Sequence, residues 1–179
     1  MIKLYIAECN RENQHQTGRI LARYALLKAF GLDLPLVYGD NGKPGFEAQG
    51  VFVSISHSGE LCLASVSDSE IGADIQLSDR DERRMISLAQ RFFSSDEYDY
   101  VIESPGERFY EIWCKKESYI KYTGEGMSRR LSDFSVLRVP LEFWSGRLGK
   151  YTLAVCSEQK FTDSPIIVGK HTLLTEQNI

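Results

Sequence analysis

The chain has 179 residues, 42% of them hydrophobic and 26% charged, with 21 lysines and arginines against 25 aspartates and glutamates for a net charge of -4. This is the composition of a globular protein, one compact unit or two small packed halves, and no apolar run approaches the ~20 residues a membrane-spanning helix needs. The acidic balance argues against broad nucleic-acid binding, which draws its affinity from clustered lysine and arginine on phosphates.

Residues 2–7 alternate weakly and predict a first strand. The start, MIKLYIAECNREN, has too short an apolar run and no small-residue cleavage site for a signal peptide, so the cytosol is the expected location. From 17 to 30, Ile20, Tyr24 and Leu27 recur at helical spacing with Leu21 alongside, and Gly31 offers a left-handed stop. Asp40-Asn41-Gly42-Lys43-Pro44-Gly45 is turn chemistry throughout, since asparagine and glycine tolerate positive φ and proline pre-sets its own. Three short strands follow at 51–56, 61–66 and 71–76, with hairpin-length connections that predict an antiparallel meander. In the third, Ile71, Ala73 and Ile75 face one way, so Asp74 and Gln76 share the other face, roughly 7 Å apart along the strand.

Helical patterns resume at 81–91 and at 95–102, where Ser94 or Ser95 can cap the backbone amides and Glu97 adds first-turn acidity. A longer helix is expected over 107–123. Segments 134–139, 142–144 and 150–156 read as further strands, and the last dozen residues weaken to a polar tail. The order reads as two α+β halves, approximately 1–80 and 81–179, forming a single unit over 1–179 with no obvious linker. No internal repeat is strong enough at sequence level to prove duplication. Cys9, Cys62, Cys114 and Cys156 lie far apart with no CxxC pair, and three sit in apolar segments, as buried free thiols do.

On the 107–123 helix, Glu117 and Lys121 stack one turn apart beside an apolar ridge of Phe109, Trp113 and Ile120. One reading is a solvated i,i+4 pair, stabilising by only ~0.2–0.5 kcal/mol. The other joins Glu117 to Asp74 and Gln76 as a set of oxygen ligands. Hard oxygen donors suit Mg²⁺ or Mn²⁺, and Mg²⁺ binds through one or two carboxylates together with substrate phosphates. Against that, an isolated Asp-x-Gln is most often a turn residue followed by an ordinary strand-surface side chain. Lys43 in its turn, and Ser56 with His57 at a strand end, are donors of the kind that hold phosphate oxygens. Each is equally at home in a solvated turn or a half-buried strand end. Ser56 or Ser58 as a nucleophile lacks a nucleophile elbow, and the adjacent His57 points to the other face. Lys115, Lys116, Lys121, Arg129 and Arg130 form the best local basic cluster.

In order and approximate spacing, six segments resemble the 4′-phosphopantetheinyl transferase superfamily, in particular its longer, surfactin-synthetase-activating type. They are Asn41-Gly-Lys-Pro44, Ile55-Ser-His-Ser-Gly59, Ile71-Gly-Ala-Asp-Ile-Gln76, Arg91-Phe-Phe-Ser94 with Glu97, Trp113-Cys-Lys-Lys-Glu-Ser118 with Lys121, and Gly124-Glu-Gly126. The likeness is strong from about residue 39 to 128. It implies an α+β pseudo-dimer of two similar halves with antiparallel sheets and the active site in the cleft between them. It further implies transfer of the 4′-phosphopantetheine arm of coenzyme A to a serine of an apo acyl or peptidyl carrier protein, releasing 3′,5′-ADP. By position, Asp74, Gln76 and Glu117 would surround Mg²⁺, Lys121 would contact phosphate, and Lys43, Ser56 and His57 would hold coenzyme A; Glu117 and Lys121 are the implied catalytic pair. Glu97 aligns with a glutamate of that family.

Two departures stand out. Many longer members carry a glutamate where this chain has Gln76, which keeps an oxygen donor and loses a charge. The larger relatives also carry a basic segment before the first helix, for which Arg11, Arg19 or Arg23 are the available substitutes. Tyr122, Met127, Arg129 and Arg130 are the residues expected to meet an acidic carrier. A monomer is expected, with coenzyme A and the carrier as partners and neither nucleic acid nor membrane. The rival readings are a catalytically weak binder of coenzyme A or carrier, and a Mg²⁺-dependent phosphohydrolase.

Overall fold

The computed structural model describes residues 1–39, 41–47 and 49–175; Asp40 of the turn segment and residues 176–179 of the polar tail lie outside the described residues. Strand β1 (Ile2–Glu8) leads into helix α1 (Gln14–Phe30), then a small antiparallel pair, β2 (Leu36–Tyr38) and β3 (Pro44–Phe46), and the hairpin β4 (Phe52–Ser58) and β5 (Leu61–Ser67). Strand β6 (Ile71–Leu77) is followed by three helices, α2 (Glu82–Phe92), α3 (Ser95–Ile102) and α4 (Pro105–Thr123), and by the hairpin β7 (Glu142–Leu148) and β8 (Tyr151–Ser157). Strand β9 (Ile166–Val168) and helix α5 (Lys170–Thr175) end the described chain. Among the described residues no helix is long and apolar enough to cross a membrane.

The same topology occurs twice. In the first sheet the order is β4-β5-β1-β9, and in the second it is β6-β8-β7. Each unit sends out a strand, crosses by helix, and returns as a hairpin whose second strand pairs antiparallel with the first: β1 with β5, and β6 with β8. The duplication invisible in the residues is explicit in the connectivity, and the fold is α+β with antiparallel sheets as expected, except that β9 joins the first sheet parallel to β1. The sheets part between Ser67 and Ile71, upstream of the approximate division at residue 80. The three strands from 52 to 77 are therefore not one meander: β4 and β5 pair, whereas β6 belongs to the other sheet.

Local chemistry explains the elements. Leu21, Ala22, Ala25 and Leu26 bury one face of α1, and Gly31 ends it at φ 70° with its amide on the Leu27 carbonyl. Asp81 caps α2 through the Arg84 amide, and Ser94 with Glu97 forms a capping box on α3. Residues 134–139 are not a strand. Phe134 and Val136 alternate as in a strand, but both side chains are buried beside the helices, and the backbone serves side chains: the Phe134 carbonyl accepts from Lys116 and the Val136 amide donates to Glu97. Pro44 and Gly45, read as loop, lie in β3.

Gly72 sets the distance between α4 and β6. A Cβ there would stand 1.9 Å from the Ser118 carbonyl oxygen and 2.5 Å from the Tyr122 amide, so the helix backbone rests directly on the strand. That contact brings one face of α4 over Asp74.

Candidate active site

Helix α4 presents Trp113, Glu117 and Lys121 at successive turns along one face, while Phe109, Ile112, Cys114, Lys116 and Ile120 are buried. Trp113, Glu117 and Lys121 line a cleft of about 530 Å³ together with Asp74 and Gln76 of β6 and Ser56 and His57 of β4. The strand acid and the helix acid therefore meet.

Asp74 is buried, and its Oδ1 accepts hydrogen bonds from Ser56 Oγ and Lys121 Nζ, both at 2.7 Å. Its Oδ2 is buried with no hydrogen-bond partner. Lys121 thus reaches across to the strand instead of closing a solvated pair with Glu117. Burial raises the Glu117 pKa, the Asp74 carboxylate raises it further, and Lys121 opposes both. His57 packs edge-on against His15 with ring centroids 4.8 Å apart; burial, then His15 and Lys121, lower its pKa. Ser56 and His57, adjacent on β4, both line the cleft. The Ser56 hydroxyl is committed to Asp74, so no serine nucleophile is assembled there.

The orphaned Asp74 Oδ2, a desolvated Glu117 and the Gln76 amide present oxygen atoms to one space, which fits a hard divalent cation. The set holds two carboxylates and an amide; among the described residues no three His, Cys, Asp or Glu side chains group as metal ligands.

Lys43 sits beside this cleft in a smaller hollow of about 180 Å³ that shares Lys121 and Ile55. Its Nζ donates to Glu70 Oε1 and to the Tyr122 carbonyl, both at 2.6 Å, and Asn41 Nδ2 donates to the Gly124 carbonyl at 3.1 Å. The turn thereby satisfies two carbonyls at the carboxy-terminal end of α4, where cationic charge is favourable.

On the other side of Glu117 and Lys121 lies a groove of about 750 Å³, with Phe92, Ile120 and Leu131 as its apolar part and Arg91, Arg129 and Arg130 around it. Glu117 and Lys121 line both cavities. The basic cluster expected from sequence is broken up: Lys116 is fully buried on Glu97 at 2.5 Å, and Lys115 pairs with Glu111. Arg129 pairs with Glu125 at 2.6 Å and lies over the Tyr119 and Phe134 rings. Arg130 is exposed, Tyr122 donates to Glu158, and the Met127 side chain lies outside the described residues.

Sequence reading missed His15 and Tyr38, which line the cleft together with Arg19. The i,i+4 spacing of His15 and Arg19 at the start of α1 was the available signal. Of the three arginines considered for the amino-terminal role, Arg19 reaches the cleft and lies over the Tyr38 ring, while Arg23 is held by Asp33 at 2.7 Å. The thiol expectation is met: all four cysteines are free, and Cys62, Cys114 and Cys156 are buried, with burial pushing Cys156 up to about 12.

Two family models divide the chain where the sheets part. Residues 5–67 match the 4′-phosphopantetheinyl transferase N-terminal domain, and residues 70–169 match the 4′-phosphopantetheinyl transferase superfamily. The chain belongs to the 4′-phosphopantetheinyl transferase superfamily. It is 38% identical over 137 residues to a 4′-phosphopantetheinyl transferase of Bacillus subtilis, covering 71% of this chain and 60% of that protein. It is 35% identical over 128 residues to the 4′-phosphopantetheinyl transferase psf-1 of Bacillus pumilus, covering 66% and 53%. With the 4′-phosphopantetheinyl transferase AcpT of Salmonella typhimurium it shares 35% identity over 161 residues, covering 86% and 80%. The chain thus spans between about half and three fifths of the two Bacillus relatives.

Proposed function

We propose that this chain transfers the 4′-phosphopantetheine arm of coenzyme A to a serine hydroxyl of an apo acyl or peptidyl carrier protein, releasing 3′,5′-ADP, with Mg²⁺ or Mn²⁺ as the required ion. The observation that carries the reading is the junction: Asp74, Glu117 and Lys121 share one cleft, and Glu117 and Lys121 also face the second groove. One cavity suits coenzyme A and the other an approaching protein.

Asp74 and Glu117, with Gln76 beside them, would hold the divalent cation, whose charge would offset that of the pyrophosphate. Lys121 is placed to exchange part of its hold on Asp74 for a phosphate oxygen. Ser56 and His57 line the wall along which coenzyme A would lie, with His15 and Arg19 extending it. The carrier serine oxygen bonds to the pantetheine-bearing phosphorus, the bond from that phosphorus to the bridging oxygen breaks, and 3′,5′-ADP leaves. Glu117, the carboxylate that lines both cavities, takes the serine proton. Alignment and charge compensation do most of the work in such a step. The protein acts as a monomer, since both units of the pseudo-dimer are in one chain.

Incubating the protein with coenzyme A, Mg²⁺ and a panel of apo carriers, then weighing each carrier intact, tests the reaction. A phosphopantetheine mass gain on serine is expected. Coenzyme A cleaved without any carrier gain would mark a hydrolase, and binding without cleavage a catalytically weak paralogue; either result rejects the transferase.

A further inference from the structure

The two sheets meet at β4 and β6, each an edge strand of its own sheet. An edge strand leaves a row of amides and carbonyls that need partners. Here serine hydroxyls supply them. Ser54, Ser56 and Ser58 occupy alternate positions on β4 and so share one face. Ser54 Oγ accepts the Ala73 N–H at 3.0 Å and donates to the Ala73 carbonyl at 3.4 Å, and Ser58 Oγ accepts the Leu77 N–H at 2.9 Å. Between them Ser56 leaves the backbone and donates to the Asp74 carboxylate.

We infer that Ser54 and Ser58 are positioning residues: their hydroxyls pin the backbone on both sides of the Asp74–Gln76 segment and so hold its oxygen donors in register with Glu117. Neither lines the cleft itself, where Ser56 is the one of the three present; Ser54 reaches only the smaller hollow beside Lys43. Ser54 is 2% exposed, so its loss leaves the Ala73 amide buried without a partner. Groups that orient metal-binding side chains, when removed, typically weaken ion affinity about 10- to 100-fold. The inference rests on the metal-assisted reading above for its meaning, and its test does not need turnover.

The test compares the parent with Ser54→Ala, Ser58→Ala and the hydroxyl-retaining Ser58→Thr. Amide hydrogen exchange is followed at Ala73 and Leu77, and Mn²⁺ affinity is measured with coenzyme A present and carrier absent. The inference requires faster exchange at Ala73 in Ser54→Ala and at Leu77 in Ser58→Ala, about tenfold weaker Mn²⁺ binding in each, and recovery in Ser58→Thr. Unchanged exchange, or a lowered Tm with Mn²⁺ affinity within twofold of the parent, would overturn it. If Ser54→Ala does not fold, the half-buried Ser58 pair decides alone. A parent that binds Mn²⁺ but modifies no carrier defeats the transfer reading and leaves this comparison intact.

Discussion

Asp74 and Glu117 compete for the same solution to their burial. Lys121 serves Asp74 Oδ1, and Glu117 is left with a raised pKa. Folded, the chain binds the Glu117 proton more tightly than it does unfolded, so that stability is full below the ordinary value of 4.5 and is lost as pH rises through the folded value. Glu117→Gln should therefore raise the Tm of the metal-free protein above the folded pKa, with the gap to the parent closing below pH 4.5. The same variant should lose transfer about 100-fold or more; thermal unfolding and carrier mass read the two effects. Gln76, beside Asp74 in the cleft, keeps an oxygen and lacks a charge. Gln76→Glu should lower the Mg²⁺ concentration for half-maximal transfer, and an unchanged requirement would remove Gln76 from the cation shell. The residue pattern made this site legible, because Asp74, Gln76, Glu117 and Lys121 carry chemistry in their spacing. It did not show that Lys121 would cross to β6, since an i,i+4 neighbour was the nearer partner.

Helix α4 is where that site is built, and besides its buried apolar face two contacts place it. Gly72 lets the helix backbone lie on β6, and a methyl group there has backbone atoms in its way that cannot swing aside. Gly72→Ala should destabilise by about 3 kcal/mol or more, at the upper end for overpacking, and should weaken the cation site with it; urea unfolding and Mn²⁺ titration give the two numbers. Glu97 supplies the second contact, taking Lys116, the Ser94 amide and the Val136 amide in a fully buried knot that joins α3, α4 and the 134–136 segment. Its capping role was readable from Ser94 and Glu97 three residues apart. The buried Lys116 was not, because a lysine beside Lys115 looks like surface charge until its partner from α3 is in view. The same limit misread 134–139, where two buried side chains imitate strand alternation. The helix end at Gly31, by contrast, was legible because the left-handed stop is a property of the residue itself.

Across the molecule, the two units repeat in topology without repeating in sequence. Strand pairing over long separations, such as β1 with β5 and β6 with β8, leaves no local mark, and that is why the sheet boundary and the β9 return were missed. Charge gives a second whole-molecule consequence. An acid-rich chain keeps arginines around the groove beside Glu117, and Arg130 is exposed there while Arg129 is occupied with Glu125 and two rings. Arg130→Glu should raise the KM for an acidic carrier severalfold and spare the KM for coenzyme A, whereas Arg129→Glu should also cost stability; steady-state kinetics with each substrate varied separates the two.

The account turns on a cation drawn to one strand acid and one helix acid. Crystals of the protein grown with coenzyme A and Mn²⁺, measured for anomalous scattering, locate that ion directly. A peak within coordination distance of both the Asp74 and Glu117 carboxylates is the predicted result, and an ion held by neither would contradict it.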